Sequence, residues 1–507
     1  MARFSSILFT DPAPVDLDEL SPPECFTDLH LDQIVDAVVS GNSDDHLEQF
    51  FYAPARGVVE VGYRHGVFRD LENDQTREPI EGFVNGMRIM RRHLRNASKI
   101  WHPLQKQGWF VHAVEAYCGV LASLRSDLTQ TRISSRGLRG FADYLADYVD
   151  SDRFATLVAE TDAVQAELGN IRYNVHIKGL RVHVEKFGGQ SDYSADVAAT
   201  FERFWREAGR DYRVSLKDYP DMSHVEEQIL ECVAKLYPAT FRLLRDYCAR
   251  NGDFVDSTIA TFDREIQFYL SYLGFMRRFH PVGLAFGYPE VSAGFEGVYA
   301  EDAFDLALAI KQLRKPGPMV CNDFRLGGAE RIFVVTGPNQ GGKTTFARMI
   351  GQLAYLGALG CPVAAGRAKL MMPDEIFTHF ERQESLSTLH GKLDNELVRI
   401  HDILSRATAS SVIVMNESFA STTVNDALLI GTEVLQRIIA RGCIAVYVSF
   451  LDELSRLDDA CVSMVGEVSP HDPTERTFRF TRRPADGLAY AAALANKYGL
   501  SHEVLRR

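Results

Sequence analysis

At 507 residues, 46% hydrophobic and 24% charged, the chain is long enough to bury the cores of about two to four domains and too apolar to be disordered or collagen-like. Its formal charge of −13, from 55 basic and 68 acidic residues, argues against a protein that coats nucleic acid non-specifically, while leaving room for a local basic surface. No run approaches ~18 uninterrupted apolar residues, and Met1–Thr10 lacks the basic start and apolar core of a signal peptide, so the expectation is no membrane contact and a cytoplasmic address.

Residues 1–60 read as loop-rich, broken by Pro12, Pro14, Pro22, Pro23 and Pro54, with one short helix at Leu31–Val39. From about Gly82 the texture becomes helical. Phe83, Met87, Met90 and Leu94 fall on one apolar stripe, and Arg88, Arg91, Arg92 and Arg95 face the other way. Trp109–Leu124 and Gly137–Ala166 read as further long helices. Ile171–Phe187 then switches to period two on both sides of Lys178-Gly179, the pattern of an inserted β-hairpin. One face of it is apolar. The other carries Arg172, Lys178 and Arg181, candidates for DNA-backbone contacts or simply a solvated face. Helix resumes over Ala195–Arg206 and Val225–Phe279, with breaks at Tyr237-Pro238 and Asn251-Gly252, and Pro281 ends it.

Beyond Pro281, short apolar runs (Arg331–Thr336, Ser411–Met415, Cys443–Ser449) alternate with helical stretches, as in a parallel α/β sheet. The chain thus divides into a loop-rich segment (1–81), a helical region with the hairpin 171–187 (82–281) and an α/β domain (282–507). Eight scattered cysteines form no C-x-x-C pair and no zinc spacing, which reads as reduced, buried thiols.

Gly337-Pro338-Asn339-Gln340-Gly341-Gly342-Lys343-Thr344 fits G-x-x-x-x-G-K-[ST], after a strand-like run and before an amphipathic helix. Glycines let backbone N–H groups turn around phosphate oxygens, and the helix N-terminus adds positive potential. Lys343 is expected at the β- and γ-phosphates, and the Thr344 hydroxyl on Mg²⁺. The strand at Ser411–Met415 runs into Asn416-Glu417, the position of a Walker B pair. Asn416 is a neutral amide that can accept from a metal-bound water, and Glu417 is the candidate catalytic base. ATP and Mg²⁺ are the expected ligands.

The run Thr336–Thr345 resembles the TGPNMGGKST loop of the MutS family of DNA mismatch-repair ATPases. Val320-Cys321-Asn322-Asp323 resembles the family's "vpNd" segment, Ser385-Leu386-Ser387-Thr388 its "ST" signature, and Glu417–Asp426 its "EiGrGTstyD" spacing. Pro484–Tyr490 and Tyr498-Gly499-Leu500 resemble its C-terminal segment. The resemblance covers about 200 residues. The helical region with its hairpin looks like the family's lever and clamp by organisation. The implied fold is a P-loop, ABC-type ATPase domain behind a helical lever and clamp. Nucleotide contacts are implied at Gly337, Pro338, Asn339, Gln340, Gly341, Gly342, Lys343, Thr344, Thr345 and Asn416. Thr344 and Asn416 are implied at the metal.

The resemblance also implies a homodimer through the ATPase domains, with Ser387, or Ser385 beside it, reaching the partner's γ-phosphate and Asp426 at the interface. Two departures stand out. The family's Walker B Asp is Asn416 here, and its switch His falls on Phe450, which together imply slow hydrolysis. The signature segment carries about one extra turn before Ile400–Leu404, where Lys392 is a further candidate for the phosphate. The first ~60 residues are too short and proline-rich for the family's mismatch-reading domain. The expected function is an ATP-gated dimeric clamp on double-stranded DNA. The alternative is an ATP-binding switch acting on a protein partner without direct mismatch recognition.

Overall fold

The computed structural model describes residues 4–10, 17–40, 47–179, 181–189, 222–315, 317, 319–381, 391–469, 471 and 475–485. By contacts, the chain forms two compact units. One comprises Met1–Phe4, Asp74–Ile133 and Arg139–Asp263, and the other Ser5–Asn73, Ser134–Leu138 and Arg264–Arg507. The first 81 residues are therefore not set apart: Ser5–Asn73 belong with the C-terminal half. Among the described residues no helix is long and apolar enough to cross a membrane. All eight cysteines are free thiols.

In the first unit, helices Asp74–Lys99 and Pro103–Gln130 pack as an antiparallel pair. Their backbones approach closely at Gly86, where a Cβ would fall 2.5 Å from a Val120 methyl. The stripe Phe83, Met87 and Met90 is buried, as its spacing demands. Of the opposing arginines, Arg91 is ion-paired with the buried Asp263, and Arg88 donates to Asn85. The expected helix over Gly137–Ala166 is two helices, Arg136–Val149 and Asp152–Gly169, because Ser151 caps the second through the Phe154 N–H. The long stretch after 222 breaks at both expected places, giving His224–Leu236, Pro238–Arg250 and Ser257–Arg277. Residues 195–206 lie outside the described residues.

The hairpin forms as strands β1 (Tyr173–Lys178) and β2 (Arg181–Lys186), antiparallel, with Lys178 opposite Arg181 and Gly179 at φ 60°. Its apolar face is half covered, since Tyr173, Val175 and Val182 keep 38–44% exposure. The other face is mixed rather than uniformly basic. His176 lies 3.1 Å from Glu185, and Arg172 turns its guanidinium back onto the Ile171 carbonyl at 3.0 Å. Lys178 and Arg181 stand exposed at the tip.

In the second unit, a six-stranded sheet has the order β12-β11-β6-β10-β9-β8. Its strands are β6 (Ile332–Thr336), β8 (Ile376–Phe380), β9 (Val412–Asn416), β10 (Ile444–Val448), β11 (Cys461–Val468) and β12 (Arg476–Arg482). All neighbours are parallel except β11–β12. β6 and β10 are buried throughout, as strands covered on both faces must be. A four-stranded sheet, β3-β7-β4-β5, joins Glu290–Ser292, Arg367–Met371, Val298–Ala303 and Asn322–Leu326.

Helix Val58–Glu72, which the loop-rich reading missed, buries Glu60, Arg64, His65 and Asp70. Three of these polar groups are bonded, while the His65 ring packs edge-on against Tyr288. Arg64 pairs with Glu60 at 2.8 Å and donates to the carbonyls of Leu8 and Leu359. Asp70 accepts from the Ser134 and Ser135 N–H groups. Glu265, deep in the same unit, accepts from Ser6 Oγ and the Ile7 N–H, each at 2.7 Å. Burial pushes its carboxyl up to about 7 from an ordinary 4.5, against the pull of those hydrogen bonds. The folded chain therefore holds this proton to higher pH than the unfolded chain. Glu265 is expected to lower stability progressively as pH rises from about 4.5 to about 7, with no further change above. Urea midpoints of wild type minus those of Glu265→Gln should fall over that interval; a constant difference would refute the assignment.

Candidate phosphate-loop site

β6 delivers the chain into the loop 337–342, and helix Lys343–Ala358 leads out of it. Gly337 stands at φ 131°, with the Gly466 backbone nitrogen 3.0 Å from where a Cβ would sit, and Gly342 caps the helix at φ 90°. Both positions need glycine, one for space and both for conformation. The helix N-terminus then points its free N–H groups into the loop.

Lys343 is the first residue of the helix and is buried. Its ammonium lies 3.2 Å from the Gly337 carbonyl, 3.4 Å from the Pro338 carbonyl and 3.5 Å from Asn339 Oδ1. Glu417 Oε1 is 3.9 Å away, and the Phe450 ring centroid 4.4 Å. Burial holds its pKa below the ordinary lysine value, with Glu417 pulling the other way. Thr344 Oγ1 donates to Asn416 Oδ1 at 2.8 Å, joining the loop to the end of β9. Lys343, Thr344, Asn416 and Glu417 thus come together from loop and strand.

Next to the loop is a cavity of about 470 Å³. Its lining combines the loop and helix start Gln340–Thr345 and Glu417 with the apolar Met349, Phe346, Phe478 and Phe480. Asn322 fixes the β12 backbone that carries Phe478 and Phe480. Its amide donates to the Phe478 carbonyl at 3.1 Å and accepts from the Phe480 N–H at 2.8 Å, while the Phe480 ring stacks on Phe346 at 4.6 Å. Arg476 donates to the Asn339 carbonyl at 3.3 Å. Sequence reading singled out Asn322 but not Phe478, Phe480 or Arg476, because β12 carries no motif of its own.

Asp426 is not gathered into the cavity. It accepts from Thr423 Oγ1 at 2.8 Å while its own N–H is capped by the same hydroxyl at 3.2 Å, which starts helix Val424–Arg441. Phe450 is half exposed beside Lys343. Ser385 and Ser387 lie outside the described residues, as do Tyr490 and Tyr498–Leu500. Lys392 opens helix Lys392–Arg406, so helix begins eight residues before Ile400.

Residues 333–505 match the family model for MutS domain V. Curated relatives share the same character. The DNA mismatch repair protein MutS of Chlorobium phaeovibrioides is 29% identical over 203 residues, 39% of this chain and 23% of that protein. The MutS of Fusobacterium nucleatum is 24% identical over 66% of this chain and 37% of its own length. That of Shouchella clausii is 22% identical over 491 residues, 90% of this chain and 54% of its own length. The chain thus spans about half, or less, of the length of these curated relatives.

Proposed function

Because the chain belongs to the MutS family, we propose that it is an ATP-driven, DNA-binding switch that works as a homodimer through its ATPase domains. One observation carries the reading. Lys343, Thr344, which bonds to Asn416, and Glu417 line a cavity that Phe346, Phe478, Phe480 and aliphatic side chains also line. A nucleotide needs both kinds of lining, charged donors for its phosphates and apolar rings for its base.

The phosphates would lie along the loop N–H groups at the helix N-terminus. Lys343 exchanges its loop carbonyls for β- and γ-phosphate oxygens, whose charge favours the protonated amine that burial disfavours. Thr344 Oγ1 and Asn416 Oδ1 are hard oxygen donors 2.8 Å apart and suit Mg²⁺, Thr344 as a direct ligand and Asn416 through a bound water. Bound there, Mg²⁺ would neutralise phosphate charge. Glu417 takes a proton from the attacking water. The water oxygen bonds to the γ-phosphorus as the bond to the β-phosphate oxygen breaks, leaving ADP and phosphate. Asn416 adds no negative charge and Phe450 offers no hydrogen bond. Hydrolysis is therefore slow, by ~100-fold if one electrostatic contact of oxyanion-hole size is missing. In the dimer, Ser387 or Ser385 reaches the partner's γ-phosphate, and Asp426 lies at the interface.

On the DNA side, Lys178 and Arg181 at the hairpin tip, with Arg172, would contact the backbone of double-stranded DNA. Replacing the three together is expected to weaken binding and to flatten its salt dependence by up to about three units of log–log slope. The measurement is a salt titration on homoduplex, mismatched and branched DNA, with and without ATP. A second reading is a switch whose partner is a protein. The −13 charge and the pairing of Arg91 with Asp263 favour it. No binding to any of the DNAs at low salt would select it.

A further inference from the structure

The chain bends sharply as it leaves β9. Glu417 and Phe419 stand at φ 50° and 65°, a left-handed region that residues with a Cβ rarely occupy. Such a turn persists where its surroundings over-determine it. Here three bonds do so. The Glu417 N–H donates to the Val448 carbonyl at 3.0 Å. Ser418 Oγ lies 2.7 Å from His379 Nδ1. The Phe419 N–H donates to Glu396 Oε2 at 3.0 Å.

His379 comes from β8 and Glu396 from helix Lys392–Arg406, and both are buried. The Phe419 ring is fully buried with its centroid 6.0 Å from that of His379, and the Tyr447 hydroxyl reaches the Ser418 carbonyl at 3.5 Å. A histidine and a carboxylate inside a core cost stability unless each is well bonded. Neither lines the phosphate cavity. What both hold is the turn whose first residue is Glu417, 3.9 Å from Lys343.

We infer that His379 and Glu396 are positioning residues for Glu417, fixing the 417–419 turn so that its carboxylate stays at the mouth of the phosphate loop. This rests on the hydrolysis proposed above. Held by buried neighbours, Glu417 keeps its geometry whether or not nucleotide is present, which is what a base aimed at a bound water requires.

The test uses the full chain, with phosphate release for kcat and equilibrium titration for ATP affinity. His379→Ala is expected to lower kcat about tenfold while affinity stays within about twofold of wild type. Adding Ser418→Ala should cost nothing more, because both changes break one bond. His379→Asn, whose amide stands where Nδ1 stood, should recover most of the rate; His379→Gln, which reaches the Nε2 position instead, should not. Unchanged kcat in His379→Ala, a parallel loss of kcat and affinity, or additive losses in the double variant would overturn the inference. If His379→Ala does not fold, the Asn and Gln variants decide, and equal rates for the two overturn it. Wild type no faster than Glu417→Gln would sink the hydrolysis reading and this inference with it. Wild type faster, with His379→Ala equal to it, would sink this inference alone.

Discussion

Lys343→Ala is expected to weaken ATP binding by about 100-fold or more, since it removes the charged donor that the proposed site brings to the phosphates. The lysine is preorganised. Its ammonium is enclosed by the Gly337 and Pro338 carbonyls, Glu417 and the Phe450 ring, so little ordering remains for the nucleotide to impose. Equilibrium titration with ATP and ADP reads the effect, and thermal unfolding of both proteins separates it from loss of fold. Wild-type affinity in the variant would remove the phosphate-loop assignment.

Glu417→Gln separates binding from chemistry. The amide keeps the size of the side chain and cannot take a proton from water. ATP affinity is expected to hold within a few-fold while turnover falls by about 10²–10⁴. The variant should then accumulate in an ATP-bound form, and light scattering or sedimentation with ATP should show that form as a dimer. Equal turnover in variant and wild type would mean that another group acts on the water, or that the chain binds ATP without hydrolysing it.

How legible each part was follows from local physics. The loop 337–344 could be read because glycine at its turns and Lys-Thr at the start of the following helix form one contiguous pattern. β6, β9 and β10 could be read because strands buried on both faces become continuous apolar runs. The hairpin could be read from its period of two, but the charge on its second face could not, since the position of Glu185 beside His176 depends on register. Helix Val58–Glu72 was hidden. Its buried face contains Glu60, Arg64, His65 and Asp70, so no apolar stripe survives in the sequence. β3 is three residues long, too short to show a pattern. His379 and Glu396 were invisible as site residues for a different reason. Their partners lie 39 and 23 positions away, and only folding brings them together.

The division of the chain also orders its synthesis. Residues 5–73 complete themselves against partners made much later. Arg64 donates to the Leu359 carbonyl, Ala55 N–H to that of Ala358, the Tyr355 hydroxyl to Phe51, and Gln352 to Leu29. On a ribosome adding about 5–20 residues per second, the start of the chain waits roughly 15–60 s for them. Meanwhile the segments 74–133 and 139–263 have all their own contacts once residue 263 has emerged. Phe50, Phe51 and Phe68, buried in the finished protein, wait for Phe268, Tyr269 and Tyr272, and Phe26 waits longer, for Tyr355. The nascent chain therefore carries a sticky leading end, and its yield in a cell depends on whatever shields those rings until the second half arrives.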